Sequence, residues 1–145
     1  MLRSIKVRDH MQLHPVVVHP ETDLFEAIHL IIVNRISGVI VVDEHRKPVG
    51  MLSELDCLRA ILVRSYHQEE IGVHPVRDHM SSLVESVHPD DGIIEIAQSL
   101  LDHKHRRRPV VDQDGVLIGQ LSCRRILKAV KEFDCPPDPT ETLPP

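Results

Sequence analysis

The sequence predicts an α/β (α+β) fold built from two pseudo-symmetric β-α-β-β-α units packed together, and three observations predict it. First, Val7-Arg8-Asp9-His10-Met11 recurs verbatim as Val76-Arg77-Asp78-His79-Met80, and Val18-His19-Pro20, Val41-Val42-Asp43 and Leu52-Ser53 return at the same offset of 69 residues. Aligning 7–61 on 76–130 without a gap gives 17 identities in 55 positions, where average composition predicts about 6% per position. Second, each copy alternates short β-branched runs with helically spaced apolar residues. Third, neither copy is long enough to bury a stable core alone, so the two must share one.

Each element has a local cause. A short strand (Val16–Val18; 84–87) ends at a His-Pro. A helix follows, opening at Thr22 or Asp23 in the first copy and at Asp90 or Asp91 in the second, residue types that cap helix N-termini. Leu24, Ala27, Ile28 and Ile31 have helical spacing, as do Ile93, Ile96, Ala97 and Leu100. Next comes a β-branched strand (Val39–Val42; 109–111), closed by turn residues at 43–48 and 112–115, the latter with an Asp-Gly pair. A further strand (49–52; 116–121) runs straight into a second helix (54–63; 124–133). This organisation predicts one unit over 1–66, a second over 67–133, with Tyr66–Pro75 as linker, and a disordered Pro-rich tail over 134–145.

Composition excludes several function classes. A net charge of −5 argues against a general nucleic-acid binder, and with no Trp, one Tyr and two Phe there is no stacking platform for single strands. Cys57, Cys123 and Cys135 form no C-x-x-C pair and leave one over, which fits a reducing compartment. No apolar stretch approaches a membrane span and no signal-peptide pattern opens the chain. The expectation is a soluble cytoplasmic protein that contacts neither membrane nor nucleic acid. Eleven histidines invite a metal site, yet His10 and His79, and His19 and His88, are repeat-related, and no metal-ligand spacing occurs. No metal and no required cofactor are expected.

The segment Gly50-Met51-Leu52-Ser53-Glu54-Leu55-Asp56 carries the most chemistry. A strand ends at a hydroxyl and a carboxylate follows three residues later on the first helical turn. One reading is a capping box, with Asp56 facing the helix dipole. A compatible reading lets Asp56 accept the hydroxyls of a ribose while Ser53 and nearby N–H groups receive a phosphate. The second copy keeps the hydroxyl, Ser122, but has Arg125 where the acid stands. The basic run Lys104-His105-Arg106-Arg107-Arg108 is either a solvated helix end or a source of arginines that enter a shared cleft and hold phosphates.

These residues resemble a known family. Val7–Met11, Ile36–Asp43 and Gly50–Asp56, with their counterparts Val76–Met80, Arg107–Asp112 and Gly119–Ser122, make each copy similar to a cystathionine-β-synthase (CBS) domain and the pair similar to a Bateman module, over about residues 5–133. The resemblance implies a regulatory module binding an adenosine-containing ligand (AMP, ADP, ATP, NAD or S-adenosylmethionine). It implies ribose at Asp56 with Ser53, adenine against Val84, Glu85, His105 and Pro109, and phosphates at Arg107 and Arg124. The second site, at Val16, Ile36, Gly38, Ser122 and Arg125, departs from the pattern: Arg125 replaces the ribose acid, Gly38 the phosphate-binding base, and Ile40 a proline. It is expected to be empty, weaker or selective for another anion.

The resemblance further implies a homodimer arranged as a disc and no catalysis. With no catalytic or DNA-binding domain in the chain, a regulated protein would be reached in trans. The alternative function is a scaffold or dimerisation module that holds a partner without a ligand. Nucleic-acid binding through Arg106–Arg108 is disfavoured by charge and by the scarcity of aromatics.

Overall fold

The computed structural model describes residues 5–67, 74–82 and 85–134. Val84, the linker positions 68–73 and the tail from 135 onward lie outside the described residues. The order of elements is β1 (Gln12–Leu13), β2 (Val17–Val18), α1 (Leu24–Val33), β3 (Gly38–Val42), β4 (Pro48–Ser53), α2 (Glu54–His67), α3 (Ile93–His103), β5 (Arg107–Val111), β6 (Leu117–Ser122) and α4 (Cys123–Asp134). Short 3-10 turns at Val7–Asp9 and Val76–Asp78 precede each copy's strands. The mixed α/β architecture with two small sheets is the one the repeat predicts.

One sheet has the order β2-β3-β4 and the other β1-β6-β5. In the first, β2 runs parallel to β3 and β4 antiparallel to it. The second copy repeats this: Val87 forms a parallel bridge to Val110, and β5 pairs antiparallel with β6. Both central pairs carry a register shift at the same repeat position, Val41/Val42 and Val110/Val111. The hairpin turns explain the shift. Asp43 accepts N–H bonds from His45 (2.8 Å) and Lys47 (2.9 Å), and Asp112 accepts from Asp114 (2.8 Å) and Val116 (3.0 Å). Each turn then needs a left-handed residue, supplied by Arg46 (φ 61°) and Gly115 (φ 83°).

Helix α1 starts as its sequence indicates, with Asp23 capping the Phe25 N–H at 3.2 Å. The second copy differs. Helix α3 opens at Ile93 after Gly92, because the Asp91 carboxylate turns back to accept the His88 N–H (2.8 Å), as Thr22 does for His19 (2.9 Å). Helix α2 begins with no intervening loop, directly after Ser53, and α4 directly after Ser122.

The leading segment of each copy does not pack on its own copy. Val7 N–H bonds to Asp91 O (3.0 Å), Arg8 N–H to Pro89 O (2.9 Å), and Ile93 N–H to Ile5 O (2.8 Å). The mirror set joins Val76 to Thr22, Arg77 to Pro20 and Leu24 to His74. Side chains repeat the exchange, Arg8 pairing with Asp90 and Arg77 with Glu21. Val76 is fully buried among Leu24, Val39, Val41 and Leu52, whereas Val7 is fully buried among Ile93, Ile96, Val110 and Leu121. Two compact bodies result: 16–63 with 74–82, and 85–134 with 5–13. A third apolar cluster of Ile40, Val42 and Leu117 joins them, and Leu117 N–H bonds to Arg46 O at 2.9 Å.

Glycine is required where the exchanged segments cross the sheets. A Cβ on Gly50 would lie 2.4 Å from the Met80 sulfur and 2.8 Å from Ser81 O; on Gly119 it would meet Gln12 O at 2.8 Å. Both glycines are repeat-related, and so are the methionines Met11 and Met80 that lie over them.

Candidate functional site

The junction of β4 with α2 builds the first wall of a cleft. Ser53 N–H donates to Asp56 Oδ2 at 2.9 Å, and Asp56 N–H donates to Ser53 Oγ at 3.1 Å. This is the reciprocal capping box the spacing predicts. Its acid also receives Arg59 Nη1 at 3.1 Å, yet the Asp56 side chain keeps 18% of its surface accessible. An ionised carboxylate has about four lone-pair sites, so Asp56 retains acceptor capacity toward the cleft.

The second copy forms only half of this device. Arg125 N–H donates to Ser122 Oγ at 3.2 Å, but the arginine has no acceptor to return the bond. The first turn of α4 holds no acid.

The opposite wall comes from β5 and the segment before it. Arg107 and Arg108 are adjacent in an extended strand and so face opposite sides. Arg107 reaches across to the first copy, where Nη1 donates to Gly38 O and Nη2 to Ser37 Oγ. Both partners are neutral oxygens. Burial holds the Arg107 pKa below the usual guanidinium value, Glu54 and Cys123 opposing and the Arg106 charge adding to the shift. Arg108 turns inward, is buried, and pairs with Glu85 Oε2 at 2.9 Å. His105 has its pKa lowered, first by burial and then by the charges of Arg108 and His103, against a smaller opposing pull from Glu85.

Between the walls lies a cleft of about 450 Å³. It brings together five residues of the expected first site: Ser53, Asp56, Glu85, His105 and Arg107. Pro109 is buried within β5, where its carbonyl accepts the Val87 N–H, and it does not line the cleft. Arg124 stands exposed on the first turn of α4, also away from it. Val84 lies outside the described residues. Of the expected second site, Gly38 lines this same cleft instead. Val16 and Ile36 pack against the first body's core, and Ser122 and Arg125 stand at the start of α4.

Sequence reasoning missed Ser37, Met51 and Ser81 as lining residues, along with the apolar pair Leu55 and Leu58, while Arg106 joins Arg107 there from the basic run. Ser81 belongs there because the exchanged segment pairs with Met51 through two 2.9 Å backbone bonds. Leu55 and Leu58 were legible as apolar residues on the exposed side of α2, a surplus the core does not use. Cys57, between them on the same helix, faces inward instead. Its thiol pKa is pushed up to about 11, chiefly by burial and then by Asp56 and Glu54.

Among the described residues, no group of three or more His, Cys, Asp or Glu side chains stands together to hold a metal. Likewise, no described helix is long and apolar enough to cross a membrane.

Comparison with known proteins identifies the family. The chain is 30% identical over 140 residues to the chloroplastic CBS domain-containing protein CBSX1 of Arabidopsis thaliana, covering 81% of this chain and 59% of that protein. It is 32% identical over 127 residues to inosine-5'-monophosphate dehydrogenase of Aquifex aeolicus, covering 87% of this chain but only 24% of the enzyme. The chain thus spans less than two thirds of either relative. Among solved structures, CBSX2 in complex with AMP superposes with a TM-score of 0.77 at 30% identity, covering 90% of this chain and 98% of that one. The CBS domain pair of MJ0100, solved with 5'-methylthioadenosine and S-adenosyl-L-methionine, shares the fold with a TM-score of 0.78 at 22% identity, over 89% of this chain and 98% of its own. The family model for the CBS domain matches twice, over residues 7–63 and 76–132. With two such matches filling the described chain, the protein belongs to the CBS domain family and is a tandem CBS pair.

Proposed function

We propose that this CBS pair is a regulatory, non-catalytic module whose cleft binds one phosphorylated adenosine nucleotide. The observation that carries this reading is the charge arrangement across the cleft. A partly accessible carboxylate, Asp56, is fixed on one wall, while the half-buried Arg107 on the other meets only neutral oxygens. Charges taken out of water favour an opposite charge close by, and a guanidinium is shaped to hold phosphate bidentately. Asp56 suits the two hydroxyls of a ribose. A phosphate at Arg107 suits AMP, ADP or ATP better than the cationic S-adenosylmethionine. The AMP complex of the 30% identical CBSX2 supports the same class.

Such a ligand replaces the bonds of Arg107 to Ser37 and Gly38 O, which link the two bodies. Binding energy then enters the contact between them, as a regulatory output requires. The second, degenerate position lacks the acid and does not bind nucleotide comparably.

Titration calorimetry with AMP, ADP and ATP tests the reading. One strong site, abolished in Asp56→Ala, is expected. Two equal sites, or binding indifferent to the substitution, would overturn it.

A homodimer through α2 is the second element of the proposal. Leu55, Leu58 and Leu62 form an exposed stripe at helical spacing, 55–67% accessible, and two of the three also line the cleft. Static light scattering of Leu62→Glu, compared with the unaltered chain, is expected to show loss of the dimer. Through that face, or through the outer faces of the other helices, a regulated protein is reached in trans. A ligand-independent scaffold is the reading left if no nucleotide shifts the melting temperature.

A further inference from the structure

We infer that Glu85 discriminates among nucleobases by accepting a hydrogen bond from an exocyclic amino group, and that Arg108 is the positioning residue that holds it. The inference rests on the cleft being a nucleotide site. Its starting point is a difference between the two bodies that the fold does not require.

Arg108 is 3% exposed. Its guanidinium donates to Glu85 Oε2 at 2.9 Å and to Ser99 Oγ at 3.1 Å, with a longer contact to Ser99 O at 3.4 Å. Its Nε is buried with no partner. At the equivalent positions the first copy has Val39 for Arg108, Val16 for Glu85 and Leu30 for Ser99. Three aliphatic side chains close the same space there, Val39 inside the core and Val16 and Leu30 packed against it. Burying a guanidinium is costly, and a partner carboxylate that stays half exposed offsets only part of that cost. Packing alone therefore does not account for the pair.

What the pair does accomplish is at the cleft. Glu85 lines it with a side chain 51% accessible, one oxygen pinned by Arg108 and the other 3.4 Å from His103 Nε2. An ionised carboxylate accepts and never donates. Pinned from the protein side, it offers its remaining lone pairs to whatever occupies the cleft. Adenine presents an amino group that can donate to it. Hypoxanthine presents a carbonyl oxygen at that place, which a carboxylate repels. Hydrogen bonds to charged groups are strong enough for the difference to read as roughly tenfold or more in affinity.

The experiment compares AMP with IMP on the full chain, by calorimetry, in the unaltered protein, Glu85→Gln and Arg108→Met. The unaltered protein is expected to prefer AMP by roughly tenfold or more. In Glu85→Gln the side-chain amide can donate to the IMP carbonyl, so the ratio falls toward one. Arg108→Met frees the carboxylate and lowers the ratio too, while the nucleotide-free melting temperature falls little, because the Glu85 left behind is half exposed and water can solvate it. Equal affinities in the unaltered protein, or a ratio unmoved by Glu85→Gln, overturn the assignment to Glu85. A large fall in the nucleotide-free melting temperature of Arg108→Met overturns the positioning role in favour of a structural one. If neither nucleotide binds the unaltered protein, the reading of the cleft itself fails, and that result is distinct from a lost preference.

Discussion

Replacing Gly50 by alanine tests the exchange of leading segments on which the cleft depends. The added methyl would sit 2.4 Å from the Met80 sulfur and 2.8 Å from the Ser81 carbonyl oxygen. The methionine tip can swing aside, but Ser81 is held by two 2.9 Å backbone bonds to Met51. To reach ordinary contact the crossing segment must lift by about half an ångström, and overpacking of this kind costs about 1–3 kcal/mol. Alanine's smaller unfolded-state entropy returns some 0.4–1 kcal/mol, leaving a net loss of about 1.3 kcal/mol at the middle of both ranges. In a chain of this size that lowers Tm by about 3–6 °C. Urea unfolding gives the free energy directly, and Met80→Ala in the same background should recover part of it, since only the sulfur contact is relieved. Ser81 lines the cleft, so AMP affinity should fall as well. A Gly50→Ala protein within 0.3 kcal/mol of the unaltered chain would mean that residues 80–81 do not cross over β4, and the exchanged arrangement would be wrong.

Three further outcomes are expected. Arg125→Asp supplies the missing half of the α4 capping box and removes a cation from the positive end of the helix dipole; urea unfolding should show a gain of about 0.5–1 kcal/mol, and no gain would discount the half-box. Arg35, left-handed at φ 53° after α1, should tolerate glycine with a gain of up to about 1 kcal/mol, whereas a loss would point to a contact made by its side chain. Cys57 should resist iodoacetamide in the folded protein at pH 8 while Cys123 reacts, as mass spectrometry would show. Because the folded Cys57 pKa of about 11 lies above the ordinary thiol value of 9.0, the native state holds the proton more tightly. The stability this contributes is complete below pH 9 and is lost as pH rises toward 11, so the fall in stability over that range should be smaller in Cys57→Ala, as urea unfolding at pH 8 and pH 10 would show.

Much of this fold was legible because its signals are local. The cap at Asp23, the Asp43 and Asp112 turns and the Ser53/Asp56 box each involve residues within four positions of one another, which a linear reading can pair. The late start of α3 at Ile93 turns on which of several polar side chains takes which N–H. Sequence leaves that choice open. The exchange is different in kind. Val7 and Val76 look alike in sequence, and nothing in either copy says which core receives which valine. The same limit separates Arg107 from Arg108. Strand alternation puts them on opposite faces, but only the packed structure shows the first spanning the cleft and the second buried against Glu85. Arg124 is a related case, since it stands exposed on the helical turn that begins at Cys123.

The crossing of the leading segments also sets the order in which a nascent chain can complete itself. The body made from 16–63 has no filled core until Val76 has been synthesised. Residues 5–13 emerge before either core, yet β1 finds its partner only at 119–120. The β1 segment therefore waits for more than a hundred residues of later chain before it can pair. Contacts of such separation slow folding. They also mean that one copy expressed alone lacks a piece of its own core, and that two such fragments should each hold what the other is missing.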